Sequence, residues 1–238
     1  MHTEIITYHD GEVTCKGFLA YDETRREPQP TVLVVHAFDG ITDFIRDYAA
    51  QIVKAGYAAF CVDMYGEGAT ADTLDGCMAL VMPFFKDRAL LQQRILAGFV
   101  ACHNLDIVDA TRIAALGFCF GGTACLDLAR SGADVKGVIS LHGNLLPPEG
   151  VPDSKITAKV LILHGYDDPQ CGHDQLPVLA DELNAKQVDW QFVYFSHTQH
   201  AYTDPHAADI GGPEMGRVYN ADSARRAWKY CHLFLAEI

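Results

Sequence analysis

Basic residues are scarce in this sequence: 18 Lys and Arg stand against 31 Asp and Glu, a formal net charge of −13 over 238 residues. A broad phosphate-binding face needs clustered Lys and Arg, so the chain has no signature of a nucleic-acid binder. The same deficit argues against docking on anionic lipid. Long apolar runs are missing as well, and none approaches the length of a membrane-crossing helix. The start, MHTEIITYHD, lacks the basic and apolar regions of a secretory signal. No CxxC pair and no HExxH motif occurs. The eight cysteines (15, 61, 77, 102, 119, 125, 171 and 231) therefore do not read as four bridges in a chain long enough to bury its own core. The expected setting is a reducing cytoplasm, with one cysteine free for chemistry.

What is present is a βα alternation. Two β-like stretches, Ile5–Tyr8 and Val13–Tyr21, flank a turn at Asp10-Gly11. Thr31–Val35, Tyr57–Val62, Ile113–Phe118, Val135–Leu141, Val160–Leu163 and Trp190–Phe195 are short apolar runs suited to strands buried on both faces. Helical stripes lie between and after them: Ile45/Ala49/Ile52, Leu91/Ile95/Phe99, Thr123–Arg130, Leu176/Leu179/Leu183 and Ala224/Trp228/Cys231/Leu235. Strands alternating with helices imply one α/β domain with a mostly parallel sheet covered on both faces. In such sheets ligands sit beyond the carboxyl ends of the strands.

Gly117-Phe118-Cys119-Phe120-Gly121-Gly122 follows one such strand and opens a helix. This is the tight strand–turn–helix elbow that holds a nucleophile above a sheet, with Cys at its tip. A helix N-terminus behind the thiol favours the thiolate, and the Phe120 N–H is free to face an oxyanion. Cys119 then needs a base and an orienter. Asp167 and Asp168 follow one later strand, and His197 and His200 follow the last. Pro169 slightly favours Asp168; local reasoning does not separate the histidines. Phe38, in the loop after Thr31–Val35, is placed as second oxyanion donor. His36, His142 and His164 sit at strand ends and read as hydrogen-bonded structural residues.

These segments resemble the dienelactone hydrolase family of the α/β-hydrolase fold. The carriers are VVHAFDGITDFIRD, GYAAFCVDMYGEG, RIAALGFCFGG, KVLILHGYDDP and HAYTDP. The resemblance implies Cys119 as nucleophile, Asp168 as orienter, His200 as base, and Phe38 and Phe120 as oxyanion donors. It implies no cofactor and no metal. Two departures stand out. Founding members carry a glutamate on the resting thiol where this chain has Ala37, so a resting thiolate–imidazolium pair is expected unless Asp39 or Glu67 substitutes. They also hold a carboxylate-bearing lactone with arginines, one of them at the position of Asp204. Lys86 or Arg88 could supply a replacement cation.

The expected substrates are therefore small neutral esters or lactones. Phosphotriesters form a secondary class, because their attack also places negative charge on a non-bridging oxygen. Met78, Met82, Phe84 and Phe85, in the segment between Gly66 and Phe85, offer an apolar pocket wall. Competing readings are a metal site using His197-x-x-His200 or Cys171-x-His173, and a redox or non-catalytic thiol protein. The partner expected is a small-molecule substrate, and a homodimer is compatible with the sequence.

Overall fold

The computed structural model describes every residue except Asp153. Strands β1 (His2–Asp10) and β2 (Val13–Tyr21) form a hairpin in full antiparallel register, turned at Gly11 with φ near +56°. Then come β3 (Gln29–Val35), α1 (Asp43–Lys54), β4 (Ala58–Val62), α2 (Leu74–Lys86) and α3 (Arg88–His103). The remainder is β5 (Val108–Phe118), α4 (Phe120–Arg130), β6 (Gly137–Leu141), β7 (Lys159–Gly165), α5 (Gln175–Ala185), β8 (Trp190–Phe195) and α6 (Ala221–Leu235), with a 3₁₀ turn at Pro213–Met215.

The eight strands make one sheet in the order β1-β2-β4-β3-β5-β6-β7-β8. β1 and β2 run antiparallel, and β3 to β8 pair in parallel. Strand periodicity of two splits the core. Leu33, Val35, Phe60, Val138 and Ile162 pack on one face with residues of α2 to α5. Val32, Val34, Cys61, Ile139 and Leu161 pack on the other with residues of α1 and α6. From Leu74 onward, the segment between Gly66 and Phe85 is helix α2. Thr73 caps it by accepting from the Gly76 N–H, and Cys77, Val81 and Phe84 are its buried stripe. Pro83 sits within its last turn, where it reads locally as a breaker.

The elbow rests on two close backbone contacts. A Cβ on Gly121 would lie 2.2 Å from the Val35 carbonyl oxygen, and one on Gly117 would lie 2.1 Å from the Gly121 oxygen. Neither neighbour is a flexible side-chain end. Gly121→Ala should therefore destabilise the fold by about 3 kcal/mol, read as a lower urea midpoint. An unchanged midpoint would show that the α4–β3 approach is not tight.

Candidate active site

Cys119 occupies the left-handed region with φ 51° and ψ −113°, a strained position for a side chain. Its N–H donates to the Leu141 carbonyl at 2.9 Å and to His142 Nδ1 at 3.2 Å, which anchors the turn against β6. The thiol is held above the sheet, 3.0 Å from His200 Nε2. His200 Nδ1 is 2.8 Å from Asp168 Oδ2. The other carboxylate oxygen accepts from the Gln170 and Cys171 N–H groups at 2.8 and 3.2 Å. The three side chains come from the ends of β5, β7 and β8.

Asp167 and His197 lie apart from this chain of contacts. They face each other at 3.9 Å, and the His197 side chain is 97% exposed. Asp168 and His200 are buried.

The charges follow from the packing. Burial alone would raise the Cys119 thiol, but the His200 imidazolium beside it, Arg217 and the Phe120 N–H outweigh that and bring it below its ordinary value. Burial alone would lower His200, but the Cys119 thiolate and the Asp168 carboxylate push it up to about 9. Asp168 is held below the usual carboxylate range: burial opposes this, and the hydrogen bond from His200 prevails. A lowered Cys119 thiol beside a raised His200 favours the thiolate–imidazolium form of the pair. Alkylation of Cys119 by iodoacetamide should thus reach its plateau well below pH 8.5. A single transition near 8.5 would contradict the pair.

Cys119 and His200 open onto a cavity of about 100 Å³ shared with Phe85, Phe120, Thr123, Asn144, Gln170 and Cys171. A larger cleft, about 490 Å³, is lined by Arg130, Glu182 and several prolines and touches none of the reactive groups. Phe120 starts α4 and packs against Phe84, Phe85 and Tyr65. Phe38 follows β3, its carbonyl accepting from the Tyr65 hydroxyl at 2.8 Å. Phe85 reaches the cavity, while Phe84 is buried behind it.

The candidate substitutes lie elsewhere. Glu67 pairs with Lys16 at 2.7 Å and is exposed. Asp39 turns into a separate cleft with Asp72, Asp204 and Arg217; burial and the Asp204 charge raise its carboxyl to about 6. Arg88 is committed to Asp127 through two 2.8 Å bonds.

His36 is a structural residue, bonded to the Ala37 carbonyl and the Met64 N–H, and burial lowers it to about 4. His142 does more than fill a strand end. Its Nδ1 accepts from the Cys119 N–H, which leaves Nε2 to donate to Thr203 Oγ1 at 3.0 Å. Burial keeps it neutral. Arg217 went unrecognised in the sequence. It is buried, its guanidinium lies 4.3 Å over the Phe38 ring, and its backbone bridges to His200. No local pattern marks it, because strand pairing at a distance brings it to the site.

Among the described residues His164, Asp168 and Cys171 form a cluster of close metal-capable groups. It coincides with neither spacing considered above. Among the described residues no helix is long and apolar enough to cross a membrane. All eight cysteines are free thiols.

The strand order and the site at the strand ends define an α/β-hydrolase. The chain belongs to the dienelactone hydrolase family, whose model matches residues 16–238. The structure is similar to that of a dienelactone hydrolase-like promiscuous phosphotriesterase from metagenomic libraries: TM-score 0.94, 33% identity, 99% of this chain and 98% of the other. Among curated proteins, a Caenorhabditis elegans protein of uncharacterised function is 33% identical over 149 residues, 62% of this chain and 93% of its own length. A Bradyrhizobium protein named as a probable 2-oxo-3-(5-oxofuran-2-ylidene)propanoate lactonase is 25% identical over 217 residues, 87% of this chain and 83% of its own length.

Proposed function

We propose that this hydrolase cleaves small neutral esters and lactones by double displacement through Cys119, His200 and Asp168. The observation that carries the reading is the unbroken contact from Cys119 Sγ to His200 Nε2 at 3.0 Å and from His200 Nδ1 to Asp168 at 2.8 Å. The thiolate attacks the carbonyl carbon, and the N–H groups of Phe38 and Phe120 receive the oxyanion, a contribution of about 3 kcal/mol per donor. The His200 imidazolium gives its proton to the departing alkoxide, leaving a thioester on Cys119. Neutral His200 then takes a proton from water, the hydroxide attacks the thioester, and acid leaves as the thiolate–imidazolium pair returns. Asp168 holds Nδ1–H and so aims Nε2 at the reacting atoms.

Neutral substrates fit the cavity wall. Apart from the Cys119–His200 pair its lining is Phe85, Phe120, Thr123, neutral His142, Asn144, Gln170 and Cys171, with no arginine or lysine among them. Asp204 stands four residues after His200, and Arg88 is locked to Asp127. A carboxylate-bearing lactone would meet no arginine or lysine in that wall and a chain of net charge −13.

A second activity, on neutral phosphotriesters, is supported by likeness to the metagenomic enzyme over nearly the full length of both chains. There the thiolate would attack phosphorus, the Phe38 and Phe120 N–H groups would receive the charge on the non-bridging oxygen, and the aryloxide would leave with the His200 proton. The test is a panel of neutral aryl esters, lactones, a carboxylate-bearing dienelactone and an aryl phosphotriester. Neutral esters should be turned over best. A specificity constant highest on the carboxylate-bearing lactone would overturn the substrate assignment.

A further inference from the structure

We propose that His164, Asp168 and Cys171 form a site for a thiophilic divalent cation such as Zn²⁺ or Cd²⁺, and that filling it switches the hydrolase off by drawing Asp168 away from His200. The proposal rests on the reading of Asp168 as orienter. It concerns an inhibitory site, and the double displacement proposed above routes no step through a metal.

The three groups are buried, and one ligand atom from each lies within 4.8 Å of the others. His164 Nε2 is 3.5 Å from Asp168 Oδ2. Zinc bonds of roughly 2.0–2.3 Å bring tetrahedral ligands to about 3.3–3.8 Å apart, so closure requires shifts of about 1 Å. Nitrogen, oxygen and sulfur donors together suit a borderline-soft cation better than Mg²⁺ or Ca²⁺. Two of the three donors become anions, which matches a divalent charge. Cys171 lines the cavity that holds Cys119, so the proposed site borders a solvent-accessible space.

His164 supplies an independent observation. Its Nδ1 is buried and has no hydrogen-bond partner, while Nε2 contacts the Cys171 carbonyl at 3.2 Å. The ring can therefore move its proton from Nε2 to the vacant Nδ1, losing one hydrogen bond and freeing an Nε2 lone pair for the metal. The Cys171 thiol gives up its proton to solvent. Burial and the nearby Asp168 charge hold that thiol protonated at rest, and a cation between them reverses the effect. Binding thus releases one proton and tightens as pH rises. Once bound to the cation, the carboxylate no longer holds His200 Nδ1–H, and the base loses its orientation.

The test uses the full chain with Cys119→Ala, so that the nucleophile cannot bind metal. Titration with Cd²⁺ should give the ultraviolet cadmium–thiolate band at one equivalent, and the band should vanish in the double variant Cys119→Ala/Cys171→Ala. If that variant does not fold, His164→Gln in the Cys119→Ala background should weaken Cd²⁺ binding about tenfold or more. In the wild type, Zn²⁺ should inhibit ester hydrolysis reversibly to a chelator, with about tenfold weaker inhibition in Cys171→Ala. No band in Cys119→Ala, or a band that survives removal of Cys171, overturns the site. Equal zinc inhibition in Cys171→Ala overturns the switch. Metal-free ester hydrolysis by the wild type, lost in Cys119→Ala, tests the triad separately, so the two readings fail independently.

Discussion

Cys119→Ala should lower the specificity constant for a neutral ester by about 10⁴-fold or more, with the fold intact. Removing one member of a nucleophile–base–acid set costs on that order, because the remaining members have nothing left to activate. Here the loss should be close to complete. His200 Nε2 faces Cys119 Sγ at 3.0 Å, and no serine or threonine hydroxyl is bonded to that nitrogen among the described residues. The side chain removed is small and opens onto a cavity, so folding should survive, as urea unfolding would show. An ester activity within tenfold of the wild type would assign the chemistry elsewhere or favour a thiol protein of another class. Cys125 does not offer a second nucleophile: it is wholly buried on α4, and burial raises its thiol far above the range in which it ionises.

The second large effect concerns stability. Asp127 lies on α4, the helix that follows Cys119, and is fully buried between two arginines. Arg88 forks onto it with two 2.8 Å bonds from α3. Arg130 reaches it at 3.1 Å while also bonding Glu182 on α5 and the Leu145 carbonyl. The carboxylate thus joins three helices and, through Leu145, the segment that follows β6. Asp127→Ala leaves a nearly buried Arg88 with no carboxylate and should cost about 3–5 kcal/mol. The expected result is a clearly lower urea midpoint at an unchanged slope. A loss under about 1 kcal/mol would show that the arginines find other partners.

Legibility in the sequence followed the physics of each element. Strands buried on both faces must be continuously apolar, so Val32–Val35 and Ala114–Leu116 announced themselves. The elbow was legible because its glycines have a steric reason: Gly121 meets the Val35 carbonyl at a distance no Cβ tolerates. Helix α2 was hidden by Pro83 and by a run of small and apolar residues, although Cys77, Val81 and Phe84 carry its spacing. Asp167 against Asp168 and His197 against His200 are alike within a few residues of chain. Only tertiary packing buries one of each pair and leaves the other in solvent. Arg217 and the role of His142 depend on pairings across the fold, His200 with Arg217 and Cys119 with His142, for which a linear reading has no signal.

The proposed double displacement places the acyl group on Cys119 between its two half-reactions. Mixing the protein with a neutral activated ester, quenching in acid within the first turnovers and mapping peptides by mass spectrometry tests it most directly. On that mechanism an acyl mass increment appears on the peptide bearing Cys119, is gone after hydroxylamine treatment and is absent in Cys119→Ala. An acyl group on any other residue, with turnover retained in Cys119→Ala, would contradict it.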